Sequence, residues 1–82
     1  MTTQFIKIGS QTVVITPAEA EDGSFVASLR GGKHSEESFA AADWTDARVR
    51  LDAARTICES FDITRNNQNM TKVAKGIDDA MG

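Results

Sequence analysis

Eighty-two residues suffice for one small domain, which at this size buries only about 60% of the surface its extended chain exposes. Nine Lys and Arg against twelve Asp and Glu leave a net charge of −3, which argues against a general polyanion binder and suits a soluble, cytoplasmic protein. A single cysteine excludes an internal disulfide and leaves no soft-ligand set for structural zinc, and no stretch reaches the ~18 apolar residues of a membrane span.

The opening MTTQFIKIGS has no basic region followed by a long apolar run, so no export signal is expected. Gln4 to Ile8 and Gln11 to Thr16 are rich in β-branched and apolar residues, and Gly9-Ser10 between them suits a two-residue type II′ hairpin turn. With Ile8 opposite Gln11, the register puts Ile6, Ile8, Val13 and Ile15 on one face and leaves Phe5 beside Val14 on the reverse. Pro17 ends the second strand because it cannot donate to a ladder, and AEAEDG forms an acidic loop closed by an Asp22-Gly23 turn. Ser24 to Leu29 alternates, with Phe25, Ala27 and Leu29 on one side and Ser24, Val26 and Ser28 on the other. Arg30-Gly31-Gly32-Lys33 reads as a loop, and a short, weak strand is expected around Ser38 to Ala41.

Trp44, Ala47, Leu51, Ala54, Cys58 and Phe61 recur at alternating three- and four-residue steps, which predicts an amphipathic helix from Asp43 to Phe61. Asp43 is its expected N-cap, and Asp46 with Arg50, Arg48 with Asp52, and Arg55 with Glu59 stand four residues apart as pairs on its exposed side. Trp44, Leu51, Cys58 and Phe61 are expected in the core. Val49, Ala53 and Ile57 form a second line round the cylinder that a solvated helix does not need. After a polar break at Asn66 to Asn69, in which Asn69 is the expected cap, Met70, Val73, Ala74, Ile77 and Met81 follow helical spacing. Gly76 inside this last helix costs about 1 kcal/mol relative to alanine, so the helix depends on docking. The expected architecture is therefore one α+β domain over residues 1–82, a three- to four-stranded antiparallel sheet packed on one long helix, plus a short C-terminal helix.

Chemistry is harder to find. His34 has no predicted carboxylate or cysteine partner and reads as a solvated loop histidine, while Cys58 on the apolar stripe reads as a small buried hydrophobe. The RGGK loop lacks the rest of a phosphate-binding loop, and each helix arginine has an acidic neighbour at helical spacing. Nothing in the pattern forms a carboxylate pair, a Ser/His/Asp set or a metal cluster, so neither an enzyme nor a cofactor is expected. The apolar positions left after the core is assigned point instead to a protein partner, with homodimerisation as one form of it. The candidate contacts are Phe5 and Val14 behind the hairpin, Arg30 and Lys33 at the loop, and Val49, Ala53 and Ile57 on the helix.

The order of an FIK strand, a DGSFVASL strand, a GGK loop, a helix beginning DWTDA and a closing GIDDAM segment resembles the small phage-encoded anti-CRISPR proteins. That resemblance implies a non-enzymatic inhibitor that occupies a surface of a nuclease or surveillance complex. Gln4 to Phe61, with its DG-F-V-A-S stretch before a helix, is also similar to HicB-type antitoxin domains, which implies a small toxin as partner. A third reading is a nucleic-acid module stacking bases on Phe5 and Phe25, disfavoured by the acidic balance and the lack of tyrosine.

Overall fold

The computed structural model describes residues 2–19, 22–31 and 36–82. Its strands are β1 (Gln4–Ile8), β2 (Gln11–Pro17), β3 (Phe25–Leu29) and β4 (Glu37–Phe39), and its helices are α1 (Ala47–Ser60) and α2 (Asn67–Met81). The strands form one antiparallel sheet in the order β1-β2-β3-β4. Ile8 faces Gln11 and Phe5 faces Val14, the register expected from the hairpin. Positive φ at Gly9 but not at Ser10 is the signature of the type II′ turn, a conformation that fits the twist of the flanking strands.

Alternation then sorts the side chains. Ile6, Ile8, Val13, Ile15, Phe25 and Ala27 are buried on the inner face, where they join the apolar sides of both helices in one core cluster. α2 packs against β1 and β2, while α1 packs against α2 and touches β4, so both helices lie on the same side of the sheet. The α+β class stands. The expected long and short helices are instead nearly equal, with 14 residues in α1 and 15 in α2.

The start of α1 also differs from expectation. Asp46, not Asp43, is the N-cap, its carboxylate accepting from the Arg48 amide at 2.8 Å. Asp43 closes a separate turn, accepting from the amide and hydroxyl of Thr45. This turn sets Trp44 edge-on to Phe25 at 4.9 Å, and Phe25 in turn stacks on Phe39 at 4.7 Å. The Trp44 indole donates to the Gly23 carbonyl, so the β2–β3 loop, the turn before α1 and the sheet are tied at one point. α1 ends in a Schellman motif, with the Ile63 amide donating to Cys58 O at 2.8 Å and Asp62 in the left-handed region at φ 56°. The next helix is capped by Asn66, which accepts from the Asn69 amide at 2.8 Å, so Asn66 takes the role expected of Asn69.

Gly76 shows why α2 carries a glycine in its interior. A Cβ there would overlap Ile6, with Cγ1 of that side chain only 2.7 Å away. The missing side chain lets α2 settle directly onto β1, and burial of Val73, Ile77 and Ala80 offsets the weak helix propensity.

Candidate functional site

The outer face of the sheet has no layer over it among the described residues. It carries Phe5 and Lys7 from β1, Thr12, Val14 and Thr16 from β2, and Val26 and Ser28 from β3. Phe5 is 61% exposed, the most open large apolar side chain among the described residues. Cross-strand pairing aligns Phe5 with Val14 and Val14 with Ser28, and Val26 lies diagonally next along β3. The Arg30 guanidinium sits over the Phe5 ring, 5.6 Å from its centroid. Three of the expected contacts, Phe5, Val14 and Arg30, thus converge on one cationic, apolar patch, and half-buried Val26 extends it. Its place is implicit in the strand alternation, where Val26 shares parity with the outward serines. Lys33 lies outside the described residues, as does His34.

The helix contacts divide differently. Ile57 is fully buried and Ala53 nearly so, which removes both from any surface role. Val49 is half-buried, while Leu51, expected in the core, is 39% exposed. The line that looked surplus on an isolated helix is largely core: α1 is flanked by α2 as well as by the sheet, and Ala53 and Ile57 belong to the one cluster of buried side chains. Phe25 is likewise fully buried on the inner face, so it is no stacking platform for a base.

The expected charge pairs regroup as well. Arg50 donates to the Trp44 carbonyl and stands 3.9 Å from Asp78 on α2. Arg55 faces Asp52 one turn back, and Glu59 pairs with Arg65 beyond the helix end. These pairs are mostly exposed and contribute little each. Lys75 bonds Asp79 at 2.7 Å, and that hydrogen bond raises its ammonium pKa.

A cleft of about 380 Å³ opens where the Asp22-Gly23 loop, the Ala42 to Thr45 turn and the end of α2 meet. Asp22, Asp43 and Asp78 line it with Trp44 and Met81, and among the described residues its lining contains no histidine, cysteine or lysine. The bond from the Ser24 amide holds the Asp22 carboxyl below the usual range, and those from Thr45 do the same for Asp43. Both carboxylates are spoken for by their own turns. Cys58 is buried in the core, and that burial pushes its thiol pKa up, the opposite of what activates a nucleophile. Among the described residues no three His, Cys, Asp or Glu side chains converge as metal ligands, and no helix is long and apolar enough to cross a membrane.

Comparison with protein-family models, curated proteins and solved structures finds no significant match to this chain.

Proposed function

We propose that this chain is a small, non-enzymatic protein-binding regulator, with a surface of a bacterial defence or nuclease assembly as its target. The observation that carries the reading is the open outer sheet face, where an exposed aromatic ring is held in place by an arginine beside two valines. Aromatic and arginine side chains dominate binding energy at protein interfaces, and burying Phe5 would remove its large apolar surface from water. The inner face is fully used by the helices, which leaves the outer face free for recognition without a cost in folding.

The test is inhibition of DNA cleavage by purified RNA-guided nuclease complexes, together with direct binding to them. The chain is expected to bind and inhibit one such complex, and Phe5→Asp with Val14→Lys is expected to weaken binding by at least about tenfold while the circular dichroism spectrum is kept. A chain that binds none of these complexes overturns the nuclease target. Binding that survives both substitutions overturns the outer face as its site.

A further inference from the structure

The first strand is an edge of the sheet, and its register fixes which backbone groups it leaves open. In a two-residue hairpin the flanking pair, Ile8 and Gln11, exchanges hydrogen bonds, and bonded pairs then alternate along the ladder. Gln4, Ile6 and Ile8 therefore bond to β2, whereas Phe5 and Lys7 turn their amides and carbonyls outward. Among the described residues no strand lies beyond β1, and neither residue makes a backbone bond outside the sheet. The edge has no proline and no bulge, and Lys7 is its only charged residue.

We propose that this edge pairs with the same edge of a second copy of the chain, joining two sheets into one of eight strands. A two-fold axis beside Ile6 sets Phe5 of each copy opposite Lys7 of the other, so both open pairs of backbone groups close. Each lysine then lies across from the other copy's Phe5, whose ring already accepts a cation from Arg30.

The helices fit the same axis. The Thr2 amide bonds the Ala80 carbonyl and Gly76 packs on Ile6, so α2 runs antiparallel to β1. It packs on both β1 and β2. With strands about 4.8 Å apart, a helix axis midway between them lies about 10 Å from its symmetry mate, a normal helix packing distance. The axis also brings opposite charges together. Lys72 is four residues before Gly76 and Asp79 three after it, on the flank of α2 next to the edge, and antiparallel helices place Lys72 of one copy toward Asp79 of the other. Lys72 has no carboxylate partner of its own among the described residues, while Asp79 already bonds Lys75. A second copy answers the backbone, ring and charge patterns of this edge at one register.

Sedimentation equilibrium on the full chain, up to about 1 mM, tests the pairing. A monomer–dimer equilibrium is expected. Lys7→Pro removes an amide that no internal bond uses and is expected to give a folded monomer. Lys72→Asp and Asp79→Lys are each expected to raise the dimer Kd, and the two together to restore it toward the original value. A chain that stays monomeric overturns the proposal, and so does a dimer unchanged by Lys7→Pro and by the charge reversals. The pairing stands apart from the partner-binding reading: a monomeric chain that still binds a nuclease complex through Phe5 overturns the pairing alone.

Discussion

The two faces of the sheet are built from the same strands, one residue apart, yet serve opposite ends. On the inner face Val13, Ile15 and Ala27 have no exposed surface, and they share one core cluster with the buried side chains of both helices. On the outer face a phenylalanine stands in water beside valines, threonines and serines. The inner face is the source of stability in a domain too small to have much in reserve. The outer face contributes little to folding, so its composition is open to a partner's demands. Phe5 and Ile6 are neighbours in sequence, and their side chains belong to different physical problems.

Substitutions break or sharpen this contrast. The largest effect is expected at Ile57, which packs in the core from the helix side. Ile57→Asp buries an unpaired charge at a cost of several kcal/mol, comparable to the whole stability of such a domain, and is expected to abolish the helical circular dichroism signal. A folded Ile57→Asp protein would return the Val49, Ala53, Ile57 line to the surface and end the contrast.

Gly76→Ala is expected to be intermediate. Helix propensity favours alanine by about 1 kcal/mol, but the added methyl meets Ile6, and overpacking typically costs ~1–3 kcal/mol. A net loss of about 1 kcal/mol in urea unfolding is expected. Ile6→Val, which removes the Cδ1 methyl in the way, should cost less in the Gly76→Ala background than in the natural chain. The smallest effect belongs to the outer face, where Phe5→Ser is expected to change stability by no more than about 0.5 kcal/mol. A large loss there would show that the Phe5–Arg30 pair belongs to the fold as well as to the surface.

The hairpin, its turn and its register were legible in the sequence because they are local: a Gly-Ser pair and two alternating runs leave one pairing that keeps the apolar residues together. The helix termini were legible only to within a few residues. Asp43 and Asp46 are both competent caps, and the choice fell to Asp46 because Trp44 is held in a turn against Phe25 and Gly23. Asn66 and Asn69 presented the same ambiguity, and Asp62 in place of a glycine hid the motif that ends α1.

Alternation and turn chemistry thus determined by themselves the class of the fold, the faces of the strands, and Phe5, Val14 and Arg30 as surface residues. Periodicity likewise put Cys58 and Phe61 in the core, where both are buried, and only the tertiary structure decided that the buried arc of α1 takes in Ala53 and Ile57 and leaves Leu51 out. Helical periodicity says that apolar residues share a side, but a helix flanked by two neighbours buries a wider arc than a helix on one sheet, and its orientation depends on where the second neighbour docks. In this arrangement Ala53 and Ile57 are buried beside Ala54 and Cys58, and Leu51 stays at the rim.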